Sequence, residues 1–198
     1  WHLSRKYIGS AIQKLQVTNN KVLHSSSLLP CNLHKEINKS DADIINLHWV
    51  QGEFLSISSI ASIKKPIVWT FHDCWPFLGS EHYPKDFNDR RFVSGYKKGN
   101  RLIGEKGIDI DYISWQLKKF YFKKPIQIVC PSHWLASFAK DSFLMKSWPI
   151  KVIPNPIPTS IYKPWPKVIA RKLFKLPQDR NIILFGALGG TDDPRKGW

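Results

Sequence analysis

Short apolar runs alternate with stretches of helical spacing through the middle of the chain. Three runs, residues 43–47, 67–71 and 126–130, have the length of buried strands, and a fourth begins at residue 150. Between the first two runs, residues 55–63 carry apolar side chains at helical spacing. Short buried strands that alternate with helices are typical of parallel α/β layers. The pattern therefore predicts an α/β fold with a parallel sheet.

Further helices are predicted on both sides of this region. They are a basic helix over residues 5–16, a short helix over 33–38, an amphipathic helix over 112–121, a helix capped by Ser132 that runs to residue 144, and a helix over 167–176. Residues 79–108 are rich in Gly, Asp, Asn, Arg and Lys and show no periodicity. They are predicted to form a long loop, of the kind that is usually functional or mobile.

A proline-rich stretch divides the chain. Five prolines lie between residues 150 and 166, and proline neither continues a central strand nor favours helix at the residue before it. Residues 154–166 are therefore predicted to be a linker. It joins a first domain, residues 1–165 with the linker included, to the start of a second domain at residues 167–198.

The second domain is predicted to open with a helix and an apolar strand at residues 181–185, followed by a glycine-containing turn. The chain stops at Trp198 inside that turn and does not begin with Met. We therefore expect a fragment, in which the first domain lacks its first strand and the second domain is truncated.

Composition excludes several classes of protein. With 198 residues, of which 42% are hydrophobic, the chain has enough apolar material for one domain or slightly more. It contains no run of about 18 apolar residues that could span a membrane. The first ten residues lack the apolar core of a signal peptide. These features favour a cytosolic location.

The chain is strongly basic, with 30 Lys and Arg against 15 Asp and Glu and a formal net charge of +15. Phosphorylated substrates, anionic membrane surfaces and nucleic acids are all candidate partners of such a protein. The basic residues occur as scattered doublets rather than as one block. Their distribution indicates a broadly basic face, not a dedicated binding arm.

The three cysteines are an odd number and form no C-x-x-C pair, which argues against a disulfide framework and a thiolate zinc site. The spacing of His72, Cys74 and His82 matches no closed zinc pattern either. The sequence predicts no metal site, and the cysteines are interpreted as small apolar residues of the core.

Polar side chains follow two of the predicted strands. His48 comes directly after the strand at 43–47, and His72 after the strand at 67–71. Because ligands collect beyond the carboxyl ends of parallel strands, the two histidines are predicted to face one crevice. A structural role is the alternative for each. Asp73 is interpreted either as the carboxylate that orients or charges the imidazole of His72 or as a turn or cap residue.

The last residues offer a candidate anion site. In the turn "GALGGTDDPRKGW", backbone N–H groups near Gly186 and the side chains of Arg195 and Lys196 have the chemistry to hold a phosphate. The turn matches neither the dinucleotide fingerprint nor the Walker loop. An ordinary turn with solvated charges is the alternative.

Several segments in fixed order resemble a bacterial branch of glycosyltransferase family 4 that includes colanic-acid and other exopolysaccharide enzymes. They are "INLHWVQGEFLSI" (46–57), "PIVWTFHDCWPFLGSEHY" (66–83), "IVCPSHWLASFAKDSFL" (128–144), "VIPNPIPTSIYKP" (152–164) and "ILFGALGGTDDPRKGW". The resemblance implies a GT-B fold of two Rossmann-like domains, with the acceptor mainly on the first and a nucleotide-sugar donor mainly on the second. It also implies transfer with retention of anomeric configuration and no metal cofactor.

The resemblance assigns roles residue by residue. His72, with Asp73 beside it, matches the family histidine that lies by the transferred sugar. Arg195 and Lys196 match the family "RKG" motif that contacts the donor diphosphate, together with Gly186 in the turn. The candidates for the acceptor side are His48, Trp49, His82 and Tyr83.

Two departures from the family pattern stand out. Many relatives carry a cysteine where Glu81 stands, and many carry an arginine where Ala187 stands, so phosphate binding is expected to rest more heavily on Lys196. The family's later paired glutamates lie beyond Trp198. The fragment alone is therefore expected to be inactive.

The implied function is transfer of a hexosyl-type sugar to a saccharide or lipid-linked acceptor in surface polysaccharide biosynthesis. The expected location is cytoplasmic, peripheral to the inner face of the membrane. The alternative is a basic binding module for anionic lipid or nucleic acid. No zinc finger, RNA-recognition signature or basic zipper is present, so nucleic acid is not the expected partner.

Overall fold

The computed structural model of the protein describes residues 2–86, 88–187 and 196. The chain divides into two compact units, Trp1–Asn155 and Pro156–Trp198. Its helices are α1 (His2–Gln13), α2 (Leu33–Lys39), α3 (Ile57–Ala61), α4 (Arg91–Ser94), α5 (Ile110–Tyr121), α6 (His133–Asp141) and α7 (Lys167–Leu173). Its strands are β1 (Gln16–Val17), β2 (Ile45–His48), β3 (Ile67–Thr70), β4 (Lys106–Gly107), β5 (Gln127–Cys130) and β6 (Ile150–Val152).

The first unit is built on a parallel four-stranded sheet in the order β2-β3-β5-β6. His48, the last residue of β2, is in register with Thr70 of β3, and Thr70 is in register with Val129 of β5. The carboxyl ends of these three strands therefore lie side by side. This sheet confirms the predicted α/β fold, and β1 and β4 add a short antiparallel ribbon.

Large aromatic side chains fill the core on and after β3. Trp69, Phe71, Trp75 and Phe77 are each no more than 1% exposed. Trp69 and Phe71 meet edge to face with ring centroids 5.3 Å apart, a preferred aromatic geometry. The Trp-Pro corner that follows β3 is therefore packed inside the domain.

Side chains cap the predicted helices where the sequence indicates. Ser132 accepts a hydrogen bond from the backbone N–H of Leu135 at the start of α6, as predicted. Asp109 accepts one from the N–H of Tyr112 at the start of α5. Each cap satisfies one of the donors that a helix N-terminus leaves unpaired.

The stretch 79–108, predicted as a loop, contains α4, β4 and a 3₁₀ turn at Lys98–Asn100. A cluster of buried polar and charged side chains fixes its position. Arg91 donates to Asp89 at 2.9 Å and to Glu81 at 3.2 Å. Tyr96 donates to the same Glu81 oxygen. Glu81 is completely buried, so the position where the family resemblance expects a cysteine holds the stretch through these hydrogen bonds.

Glu81 shares this cluster with Asp111 at the start of α5. Burial and the neighbouring Asp111 carboxylate raise the pKa of Glu81 well above its ordinary value. Burial by itself would raise the pKa of Asp111 too, but hydrogen bonds from Glu81, Ser80 and Gln16 lower it overall. When the pair holds a single proton, these shifts favour its position on Glu81 and leave the charge on Asp111.

The predicted strand at residues 181–185 is wrong, because these residues have no strand conformation. Ile183 and Leu184 are each 94% exposed. A strand is stabilised by the ladder and by side chains on neighbouring strands, and the strand pairings among the described residues do not include this segment. No helix within the described residues combines the length and apolar character needed to cross a bilayer.

Candidate active site

Two imidazole rings meet at the carboxyl edge of the sheet. His48 ends β2 and His72 follows β3 by two residues. The Nδ1 atom of His48 lies 2.9 Å from the Nε2 atom of His72, and both side chains are exposed. The two rings thus lie together at this edge, and that they face a ligand crevice stays a prediction. At this distance one nitrogen donates and the other accepts, so each ring fixes the tautomer and orientation of the other.

Asp73 faces away from this pair although it is the next residue after His72. Its side chain is only 4% exposed. One carboxylate oxygen accepts from the backbone N–H of Trp75 at 3.0 Å, and the other accepts from Nδ1 of His82 at 2.6 Å. The interpretation of Asp73 as a turn residue is confirmed, whereas the interpretation that it orients the imidazole of His72 is wrong. The imidazole it orients belongs to His82.

A hydrogen-bonded chain continues from His82 to Ser25. Asp73 accepts the Nδ1–H of His82, and in that neutral tautomer Nε2 accepts the hydroxyl proton of Ser25 at 2.8 Å. The Ser25 hydroxyl in turn accepts from the backbone N–H of Gly52 at 3.2 Å. The side chains of Asp73, His82 and Ser25 are all buried. Their hydrogen bonds therefore join segments that are distant in sequence inside the domain.

The loop after β2 has an unusual backbone. Trp49 and Glu53 have φ of +41° and +63°, a region that side chains other than glycine rarely adopt. Buried Glu53 holds this conformation, because its carboxylate accepts from the Ser26 hydroxyl and the Ser27 N–H, both at 2.6 Å. The constrained loop leaves the Trp49 ring 47% exposed, with its centroid 5.9 Å from that of His82.

A cavity of about 670 Å³ opens beside this loop. Ser25, Trp49 and Glu53 form part of its wall. Three lysines from the other side, Lys6, Lys14 and Lys21, also line it. The cavity therefore combines an exposed aromatic ring with positive charge, a composition suited to an anionic ligand that carries a sugar.

Tyr83 approaches the same edge, and its hydroxyl lies 3.5 Å from the backbone oxygen of His72. The four candidates for the acceptor side, His48, Trp49, His82 and Tyr83, thus all surround the end of the sheet. His82 is 1% exposed and is therefore buried below this surface. Ser25 was missed, because a serine 57 residues away in sequence from its partner gives no local pattern.

The donor-side candidates belong to the second unit. Among the described residues other than its chain neighbours, no atom lies within 4 Å of the position that a Cβ of Gly186 would take. Lys196 is exposed, and Arg195 lies outside the described residues. Ala187, where the resemblance expects an arginine, is half-buried.

The cysteines are free thiols. Cys74 and Cys130 are buried in the core, as predicted, while Cys31 is partly exposed. Burial raises the pKa of Cys74 well above its ordinary value and that of Cys130 to about 11. Within residues 2–86, 88–187 and 196, no three His, Cys, Asp or Glu side chains cluster in a way that could hold a metal ion.

The chain matches a family model described as Glycosyltransferase Family 4 over residues 15–161. No curated protein and no solved structure matches it. The matched segment covers well over half of the chain, from the β1 ribbon through all four strands of the parallel sheet, and includes the imidazole pair. The chain therefore belongs to glycosyltransferase family 4, and its parallel α/β domain is Rossmann-like, of GT-B type.

Proposed function

We propose that the intact protein transfers a hexosyl-type sugar from a nucleotide-sugar donor to a saccharide or lipid-linked acceptor, with retention of anomeric configuration, in surface polysaccharide biosynthesis. The observation that carries the proposal is the exposed pair of His48 and His72 at the carboxyl edge of the sheet. In open parallel α/β sheets ligands bind beyond the carboxyl ends of the strands, which supports this edge as the place of the reaction.

In this proposal His72 contacts the transferred sugar, and His48 positions it. A ring held by a second ring loses less freedom when substrate binds, which is how a preorganised group gains its effect. Asp73 acts as a positioning residue rather than at the reacting centre, because its carboxylate is buried against His82. Through these contacts it stabilises the turn that follows β3, in which His72 lies.

We assign the donor diphosphate to Lys196, Arg195 and the turn at Gly186. Fixed cations stabilise the negative charge that develops on the leaving group, so the proposal needs no metal cofactor. Exposure of Lys196 and open space at Gly186 are compatible with this role. All three positions lie beyond the segment that the family model matches, so the assignment rests on the "RKG" motif.

The acceptor is assigned to the cavity beside Trp49. Its three lysines favour an anionic acceptor, such as a saccharide on a lipid diphosphate or an acidic sugar chain. A lipid-linked acceptor would place the protein in the cytoplasm at the inner face of the membrane, in peripheral contact with it.

The test is donor consumption and product formation by the intact protein, expressed from its complete coding frame and offered a panel of nucleoside-diphosphate sugars. His72→Ala should lower kcat/KM by about a hundredfold or more, the scale seen for lost transition-state donors. The matched control is His133→Ala, which removes an exposed imidazole from the start of α6. Equal activity in the two variants would refute the assignment of His72, and an inverted anomeric product would refute retention.

A net charge of +15 favours one competing function, a basic binding module for anionic lipid or nucleic acid. Lys196→Ala separates the two. A transferase loses most of its turnover when a diphosphate contact is removed, whereas a module loses one of many cations and binds slightly more weakly. Unchanged sugar transfer in this variant would count against the phosphate role of Lys196.

A further inference from the structure

The tetrapeptide Lys-Lys-Pro-Ile occurs twice in the chain, at residues 64–67 and 123–126. The first copy leads into β3, which begins at Ile67, and the second leads into β5, which begins at Gln127. These strands are parallel neighbours in the sheet, with Val68 in register with Gln127. The fold therefore brings both copies to the same edge of the sheet, at the opposite ends of the strands from the imidazole pair.

Both copies line one open groove of about 830 Å³. Lys64, Lys65, Lys123 and Lys124 all contribute to its wall. Its apolar part is formed by residues that include Ile63, Trp69, Phe122 and Trp148. The groove thus has a hydrophobic base with four ammonium groups around it.

The positive charge of this groove is not neutralised by acids of the chain. None of the described residues that line it is acidic. Lys64, Lys123 and Lys124 are exposed and take part in no ion pair among residues 2–86, 88–187 and 196, while Lys65 donates to the backbone oxygen of Ala42 at 2.8 Å. The charges of Lys64, Lys123 and Lys124 are therefore available to an anionic partner.

Two aromatic rings adjoin the lysines at the end of α5. Tyr121 lines the groove and is 39% exposed. Its neighbour Phe120 is 65% exposed, with the two ring centroids 5.0 Å apart. An exposed phenylalanine beside a tyrosine and clustered lysines suits the boundary between lipid headgroups and acyl chains, where rings insert and ammonium groups meet phosphates.

We propose that this groove, lined by the two Lys-Lys-Pro-Ile segments and Tyr121, docks the protein together with the adjoining Phe120 ring on the face of a bilayer that contains anionic phospholipids. The lysines contact lipid phosphates, and the rings enter the headgroup region. The imidazole pair then lies at the far ends of four-residue strands, roughly 13 Å from the groove at about 3.3 Å per residue. It faces solvent, so only acceptors whose reacting sugar extends from the bilayer reach it.

The test measures binding of the intact protein to vesicles of phosphatidylcholine alone and of phosphatidylcholine with about 30% phosphatidylglycerol, whose negative surface attracts clustered lysines. The groove variant is the triple substitution K64Q/K123Q/K124Q, which leaves Lys65 with its backbone partner. The control is K35Q/K85Q/K98Q, which removes the same charge from exposed lysines that line neither cavity. Near an anionic surface, each lysine contributes about fivefold to partitioning.

We expect the protein to bind only the anionic vesicles, the groove variant to bind about a hundredfold more weakly, and the control to change by a few-fold. Phe120→Ser should weaken binding several-fold without changing its salt dependence. Circular dichroism and thermal unfolding verify that each variant is folded.

Three results would overturn the proposal. They are no preference for anionic vesicles, equal losses in the two triple variants, and a groove variant that keeps vesicle binding while it loses binding to a DNA duplex. The last result would assign the face to nucleic acid. Because vesicle binding is read without sugar transfer, the proposal stands or fails independently of the proposed function.

Discussion

The Nδ1 atom of His48 lies 2.9 Å from the Nε2 atom of His72, although the two residues come from different strands. Parallel pairing places their strand ends side by side, since His48 is in register with Thr70. A proton between two nitrogens fixes both tautomers, so the ring that contacts substrate has a defined orientation. Substitutions in this histidine pair are therefore expected to change activity.

We expect His48→Ala to lower kcat of sugar transfer by about tenfold in the intact protein, because His72 keeps its chemistry but loses the contact that orients it. His48→Gln, which retains a polar group able to reach His72, should recover part of the loss. Stability should change little, since the His48 side chain is exposed. Steady-state kinetics of both variants test this, and a change in KM alone would assign His48 to acceptor binding instead.

The second prediction concerns Asp73 and His82, whose atoms lie 2.6 Å apart in a buried setting. Asp73→Asn replaces a carboxylate that accepts from both His82 and the Trp75 N–H with an amide that matches only one of them. Hydrogen bonds to charged groups contribute about 1.5–3 kcal/mol, and we expect a loss of that size in unfolding free energy. Urea denaturation measures it, with exposed Asp43→Asn as the control. A loss of unfolding free energy no larger than that of the control would show that the buried hydrogen bonds of Asp73, His82 and Ser25 do not stabilise the fold.

Much of the fold can be predicted from local pattern. The apolar runs that become β2, β3 and β5 are bounded by polar and turn residues, and parallel pairing then brings His48 and His72 together. The apolar run at 181–185 has the same appearance but forms no strand, because strand formation depends on a partner that pattern alone does not supply.

The partners of the polar residues could not be predicted in the same way. Asp73 follows His72 directly, yet its carboxylate contacts His82. His82 in turn forms a hydrogen bond with Ser25. Glu81 and Asp111 meet across 30 residues of sequence. Such contacts depend on how loops fold back on the sheet, and loop residues carry no periodicity from which to read that path.

The third prediction concerns Lys118 of α5, which is fully buried. Its ammonium group donates to the backbone oxygens of Trp75, Leu78 and Gly79, and it lies 3.6 Å from the centroid of the Trp75 ring. Burial lowers the pKa of Lys118, but three acceptors match the three protons of the charged form. The side chain thus fastens the corner after β3 to the helix.

We expect Lys118→Met to lower the unfolding free energy by about 3–5 kcal/mol, because it leaves three buried carbonyl groups and nearby carboxylates without their cation. Lys119→Met is the matched control, since Lys119 is exposed on the next position of the same helix. Thermal and denaturant unfolding of the intact protein compare the two. Similar stability of both variants would mean that water or a rearranged backbone replaces the ammonium group.

The last prediction follows from the proton on Glu81. Burial and the Asp111 carboxylate raise the pKa of Glu81 above its ordinary value of 4.5. Between the unfolded and folded pKa values, the native state keeps a proton that the unfolded state has lost. The contribution of this group to stability is therefore fully present below pH 4.5 and declines as pH rises through the folded pKa, by at most about 1.4 kcal/mol per pH unit.

Glu81→Gln has no proton to lose. Its amide can donate to Asp111, and its carbonyl can accept from Tyr96 and Arg91, as protonated Glu81 does. We therefore expect the stability of the variant relative to the unmodified protein to increase as pH rises from 4.5 to the folded pKa of Glu81 and to level off above it, as measured by urea unfolding at each pH. Exposed Glu36→Gln should show no such trend. Parallel curves for the Glu81→Gln variant and the unmodified protein would show that Glu81 is ionised in the native state, with Arg91 neutralising it.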